Sequence, residues 1–105
     1  MRYKIEYTNE AADDMRSLNK SQQIPIRAAI AKVAENPLPR SDGGYGEPLG
    51  NKRGKNLTGL CKIKLLKLGI RVVYRVIRES AIMKIIVIAA RADYEVYDMA
   101  YERTK

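Results

Sequence analysis

Hydrophobic and polar positions along the chain divide it into a few clear elements. Tyr3, Ile5 and Tyr7 alternate with Arg2, Lys4 and Glu6, the two-residue period of a strand with one buried face. Thr8 or Asn9 can cap the helix that follows, with Ala11, Met15 and Leu18 as its apolar stripe and Glu10, Asp13 and Asp14 in its early turns. Asn19-Lys20-Ser21 breaks this helix, and Ser21 is a plausible cap for a second, with Pro25 in its first turn or so. Ile26, Ala29, Ile30, Val33 and Ala34 recur at helical spacing, and Asn36-Pro37-Leu38-Pro39 ends the run. From Arg40 to Leu57 periodicity is lost among turn residues, and a connection of that length is functional or mobile. Three strands are predicted next, about Leu60 to Leu66, Ile70 to Ile77 and Ala81 to Ala89. The last is almost continuously apolar apart from Lys84, as an interior strand covered on both faces would be. Val96, Tyr97, Ala100 and Tyr101 then mark a short terminal helix over 92–103.

These elements predict an α+β fold with one domain over 1–105. A small, twisted, mostly antiparallel sheet carries an N-terminal α-hairpin on one face and a short C-terminal helix, with its helices on one side and a basic face left open. The basic face follows from alternation. Cys61, Ile63 and Leu65 point one way, Lys62 and Lys64 the other. A turn at Leu68-Gly69 sets Leu66 opposite Arg71 and Lys64 opposite Val73, so Arg71 joins the lysine face while Val72, Tyr74 and Val76 join the apolar one. Cations gathered in this way repel one another, and an anion between them, phosphate first, relieves the repulsion.

Composition bears on the partner. The 105 residues carry a net charge of +8, with 46% hydrophobic and 30% charged residues, as in a folded chain that meets nucleic acid or an acidic protein. The lone Cys61 excludes an intrachain disulfide and fits a reducing compartment; on an apolar strand face it reads as core. The chain opens directly on a strand pattern without a signal-peptide stretch, and no apolar run is long enough to span a bilayer, so a cytoplasmic location with no membrane partner is expected.

The chain contains no histidine, which removes the commonest general base and the commonest metal ligand. No phosphate-loop or dinucleotide fingerprint is present, and neither a metal nor a cofactor is expected. An enzyme here works with Lys, Arg and Tyr. RNA permits this, because its own 2′-hydroxyl can attack the adjacent phosphate. The reaction then needs a base, charge stabilisation on the phosphorane, and a proton for the leaving 5′-oxygen. A lysine among other cations has its pKa lowered toward the range where it transfers protons, whereas arginine stays charged and clamps phosphate.

The motifs Lys62-Ile-Lys64-Leu, Gly69-x-Arg71-Val-Val-Tyr74 and Arg91-x-Asp-x-x-Val-Tyr97 together resemble the signature of RelE-type toxins of bacterial type II toxin–antitoxin pairs, over nearly the whole chain. The resemblance implies a ribosome-dependent mRNA endonuclease that needs no metal, neutralised by a cognate antitoxin in a hetero-oligomer. It implies a functional set of Lys62, Lys64, Arg71, Arg91 and Tyr97. Related gyrase-poisoning ParE-type toxins share the fold without that set. The chain departs from compact members in its Arg40 to Leu57 connection, and in Ala89-Ala90 before Arg91. Lys52, Arg53 and Lys55 form a further cationic cluster, a diffuse contact for RNA phosphates.

Other readings of the same residues stay open. Lys62 and Lys64 are also what a solvated strand face would carry, Arg71 and Arg91 can pair with Asp93 or Glu95, and Tyr97 can be a core ring with its hydroxyl at the rim. A toxin acting by binding alone, on gyrase or another partner, is the functional alternative. A plain nucleic-acid-binding module fits less well, because the tyrosines fall at core positions and form no exposed stacking row.

Overall fold

A computed structural model describes residues 2–52 and 54–105. The element order is β1 (Lys4–Tyr7), α1 (Asn9–Arg16), α2 (Lys20–Val33), a 3-10 turn at Arg40–Asp42, β2 (Glu47–Lys52), β3 (Lys55–Leu65), β4 (Ile70–Ile77), β5 (Ile82–Ala89) and α3 (Asp93–Thr104). The strands form one sheet in the order β1-β5-β4-β3-β2, antiparallel except for the parallel β1–β5 pair. The apolar β5 lies between β1 and β4 and is buried along most of its length, as its hydrophobic run, interrupted by Lys84, predicts.

Thr8 caps α1, accepting from the Ala11 amide. The cap of α2 is Asn19 and not Ser21: Asn19 Oδ1 accepts from the Gln22 amide while Gln22 Oε1 accepts from the Asn19 amide. This reciprocal capping box satisfies two helix-start donors, which a serine two residues later cannot do. The helix therefore begins earlier, and Pro25 lies inside it, past the first turn.

The connection expected over 40–57 is largely ordered structure. Its second half is β2 and the start of β3, paired from Glu47↔Lys62 to Lys52↔Lys55 with an irregularity between Pro48 and Gly50. Pro48 fits here because β2 is an edge strand, where a missing amide hydrogen breaks no ladder. The first half is pinned to the body where Arg78 pairs with Asp42 at 2.5 Å, and the segment just before it where Tyr74 Oη donates to the Pro37 carbonyl at 2.8 Å. Gly46 is required by closeness, since a β-carbon there would lie 2.6 Å from Tyr74 Oη.

Helices cover both faces of the sheet, not one. The α-hairpin buries Ala11, Met15, Ile26 and Ile30 against Cys61, Ile70, Val72, Tyr74 and Ile85. On the opposite face α3 buries Val96, Tyr97 and Ala100 against Leu49, Leu57, Leu60, Val73, Ile86 and Val87. The basic face is thus partly roofed by α3. Cys61 and Tyr74 are core residues; burial pushes the Cys61 thiol upward, and the Tyr74 phenol is raised by the same cause.

Candidate functional site

The β3–β4 hairpin builds the floor of the site. Its register pairs Lys64 with Arg71 and Lys62 with Val73, two residues from the expected alignment. The connection is a four-residue turn over Leu66-Lys67-Leu68-Gly69, closed by the Leu65–Ile70 pair, and not a two-residue one. An even shift leaves every side chain on its predicted face, so Arg71 still shares the lysine face, now directly across from Lys64.

The first residues of α3 close the site from above. Asp93 reaches over the floor: its carboxylate lies 2.5 Å from Arg71 Nε, 3.6 Å from Lys64 Nζ and 3.8 Å from Lys62 Nζ. Arg71 also donates from Nη1 to the Arg91 carbonyl at 2.9 Å, which fixes the segment carrying Arg91 beside the floor. One turn on, Tyr97 packs its ring into the α3-side core and receives a hydrogen bond at its hydroxyl from Lys62 Nζ at 2.7 Å. Tyr97 is thus a core ring whose hydroxyl lies at the basic floor beside Lys62.

The expectation of an all-cationic face is corrected. Asp93 meets three of the cations, and Glu47 lies opposite Lys62 across β2–β3. The lowered lysine pKa is corrected too. Burial alone would pull Lys62 down, but the Tyr97 hydroxyl and the Asp93 and Glu47 charges outweigh it, and its pKa rises above the ordinary lysine value. Lys62 is therefore an ammonium at neutral pH. For Asp93, partial burial opposes ionisation, but the Arg71 hydrogen bond and the charges of Lys62, Arg71 and Lys64 hold its carboxyl below the usual carboxylate range.

Arg91 is brought to the rim and not into the cluster. Its guanidinium pairs with Glu95 one helical turn away at 3.5 Å and remains largely exposed, lining a cleft with Glu95, Asp98 and Met99. Lys52 and Lys55, at the β2–β3 turn, stand along the outer side of α3. Lys52 Nζ sits 5.9 Å from the Tyr97 ring centroid; Lys55 pairs with Asp98 at 3.2 Å and lies 5.8 Å from the Tyr101 ring. The third member of that cluster, Arg53, lies outside the described residues. Among the described residues, no group of three or more Cys, Asp or Glu side chains could hold a metal ion, and no helix is long and apolar enough to cross a membrane.

Sequence reasoning missed Glu47, and it weighed Asp93 only as one arginine's partner. A signal for Asp93 was present: an acid at the first position of a helix, two residues after a candidate functional arginine. It also missed the clamp at the far end of α3. Arg103 donates from Nη1 to Asp14 Oδ2 at 2.7 Å and to the Ile86 carbonyl at 2.9 Å, and from Nη2 to Asp14 Oδ1 at 3.2 Å.

Comparison with known proteins places the chain as a whole. A RelE-like toxin protein of Escherichia coli is 30% identical over 105 residues, with the whole of both chains aligned. The chain belongs to the RelE-type toxin family. The mRNA interferase toxin RelE of Escherichia coli strain K12 is 27% identical over 103 residues, 98% of each chain. Among solved structures, a doubly arginine-to-alanine mutant of E. coli toxin RelE in the free state matches with a TM-score of 0.75 at 26% identity over 100% of both chains. The same mutant in complex with a peptide of antitoxin RelBc matches at a TM-score of 0.69 and 26% identity, again over 100% of both chains. No protein-family model matches the chain. The RelE-type assignment therefore rests on end-to-end relatives and on the shared α+β architecture.

Proposed function

We propose that this RelE-type chain is the toxin of a type II toxin–antitoxin pair and cleaves mRNA on the ribosome, by attack of the 2′-hydroxyl on the adjacent phosphate and without a metal. The observation that carries the reading is the convergence of Lys62, Lys64, Arg71 and Tyr97, from two strands and a helix, beside the anchored Arg91 segment. RNA supplies the nucleophile. The 2′-hydroxyl gives its proton to solvent water as its oxygen bonds to phosphorus, and the bond to the 5′-oxygen breaks as that oxygen takes the Tyr97 phenolic proton, leaving a 2′,3′-cyclic phosphate, a 5′-hydroxyl and a phenolate that solvent reprotonates. Arg71 and Arg91 stabilise the charge gained by the phosphate. Lys62, held as an ammonium, serves as donor and charge, not as base. Its hydrogen bond to the Tyr97 oxygen leaves the phenolic proton to be offered to a reacting oxygen. Lys64 completes the set by orienting the attacking hydroxyl. Lys52, Arg53 and Lys55 supply phosphate contacts outside the reacting centre.

The partner follows from the same surface. An antitoxin encoded beside this chain is expected to cover the basic rim in a hetero-oligomer. The gyrase-binding alternative is not favoured, since the named relatives are mRNA interferases. The test has two arms. Expression alone should arrest growth, and co-expression of the neighbouring gene should relieve it. Primer extension should find cuts in translated message, the downstream fragments carrying a 5′-hydroxyl, with little cutting of naked RNA, which a small site grips mainly through phosphates and so weakly at physiological salt. Harmless expression at a good level, or fast metal-dependent degradation of free RNA, would defeat the proposal.

A further inference from the structure

The carboxylate of Asp93 stands where the basic floor would receive an anion. Three cations from two strands point at it: Arg71 at 2.5 Å, Lys64 at 3.6 Å and Lys62 at 3.8 Å. These belong to the set read above as phosphate-binding, so the inference rests on that reading. Glu47 faces Lys62 alone, from β2, and the other acids of α3 itself are placed differently. Glu95 pairs with Arg91, Asp98 with Lys55, and Glu102 with Lys105, one cation each, at the surface. Asp93 alone among them bridges cations of the floor, and it does so from a helix start, where the backbone amides add to the field holding it ionised.

We propose that Asp93 is an internal anion that occupies the phosphate position in the free protein and must be displaced, or must share its cations, when a substrate phosphate enters. Two consequences follow. The carboxylate relieves the mutual repulsion of Lys62, Lys64 and Arg71 and so keeps the floor assembled without substrate. It also lowers the affinity of that floor for any free phosphate, because a second anion entering the site meets a negative charge within a few ångströms. Displacement has a defined route. Arg71 keeps its hydrogen bond to the Arg91 carbonyl, so the Arg91 segment stays in place while the carboxylate yields. Cleavage would then depend on something that presents the phosphate at high local concentration, and loose RNA would compete poorly with Asp93.

The experiment uses the full-length chain and inorganic phosphate as the probe, so that its result does not depend on cleavage. Phosphate is titrated at constant ionic strength while the arginine Nε–H and lysine ammonium resonances are followed by NMR. The variants are Asp93→Asn, which keeps an oxygen acceptor for Arg71, and Asp93→Ser, a second neutral residue suited to a helix start. Glu102→Gln, the same charge change on the same helix away from the floor, controls for net charge. Removing one unit charge this close to the site is expected to tighten phosphate binding by roughly tenfold in both Asp93 variants. The Glu102→Gln control should stay within about twofold, because its exposed charge is distant and screened. If folded Asp93 variants bind phosphate no more tightly than the parent, or if Glu102→Gln gains as much as they do, the internal-anion proposal is overturned. If they gain affinity while no variant cuts message on the ribosome, the proposal stands and the nuclease reading fails.

Discussion

The last turn of a terminal helix ordinarily frays, yet Arg103 is tied to three groups of the body: the Asp14 carboxylate, the Ile86 carbonyl and, at 3.8 Å, the Glu10 carboxylate. Its guanidinium grips both oxygens of Asp14 on α1 and the Ile86 carbonyl on β5, while Asp14 Oδ2 also accepts from the Ile88 amide. Each side chain of the pair is only 16% exposed, so both charges are mostly removed from water. Breaking a fully buried pair by deleting one partner costs about 3–5 kcal/mol. Here the residual exposure, and the Ile88 hydrogen bond that Asp14 keeps, reduce the expectation for Arg103→Ala to about 2–3 kcal/mol. In a chain of this size that corresponds to a drop in melting temperature of roughly 10–20 °C. Arg103→Lys should recover about 1 kcal/mol, since an ammonium restores charge but not the two-point grip. Urea and thermal denaturation of the parent, both variants and Asp14→Asn provide the assay, with a double-mutant cycle for the coupling. A loss under about 0.5 kcal/mol for Arg103→Ala, within the range of ordinary surface changes, would refute the view that this clamp seats α3, and with it Asp93 and Tyr97, over the sheet.

Other outcomes follow from the site. Arg71→Ala should slow cleavage by about 10²–10³-fold, the usual cost of one electrostatic stabiliser. Arg71→Lys should recover only part of this, because a lysine cannot meet Asp93 and the Arg91 carbonyl together as Arg71 does; equal rates for the two variants would contradict that geometry. Asp93 has a depressed folded-state pKa, so its contribution to stability is complete above the unfolded carboxylate value near 3.9 and is lost as pH falls through the folded one. The stability gap between parent and Asp93→Asn, read as urea midpoints, should therefore be constant from pH 7 to about 5 and shrink as pH falls below the unfolded carboxylate value; a gap that widens on acidification would reverse the assigned sign.

Much of this fold was legible because local pattern and tertiary environment agree. The alternation in Arg2 to Tyr7, the nearly continuous apolar run of β5 and the helical spacing of Ile26, Ile30 and Val33 each match the face that is buried. β2 was not legible. Glu47-Pro-Leu-Gly-Asn-Lys has neither β-branched residues nor clean alternation, and becomes a strand through pairing with β3. The hairpin register was misplaced by two because the turn was centred on Leu68-Gly69, whereas the alternation already reverses at Leu66-Lys67 where the turn begins; face parity survived and with it the grouping of Lys62, Lys64 and Arg71. What the pattern did not contain was the docking of α3. Its apolar residues Val96, Tyr97 and Ala100 do not say which sheet face receives them, so neither the second layer nor the position of Asp93 over the cations was readable in advance. Tyr97 was read from its motif, and the reason for its place became visible only in the hydrogen bond from Lys62.

The central claim, that this basic face cuts message held by the ribosome, is tested most directly by single-turnover cleavage of ribosome-bound mRNA. The comparison sets the parent against Arg91→Ala, Tyr97→Phe and, as a control outside the site, Lys84→Ala. Parent and Lys84→Ala should cut at nearly the same rate. Arg91→Ala should be slower by about 10²–10³-fold for a lost charge stabiliser. Tyr97→Phe, which keeps the ring in the core and removes only the hydroxyl that Lys62 contacts, should be slower by about 10²–10⁴-fold. Full-rate cleavage by folded Arg91→Ala and Tyr97→Phe would contradict the account and leave this face with a binding role alone.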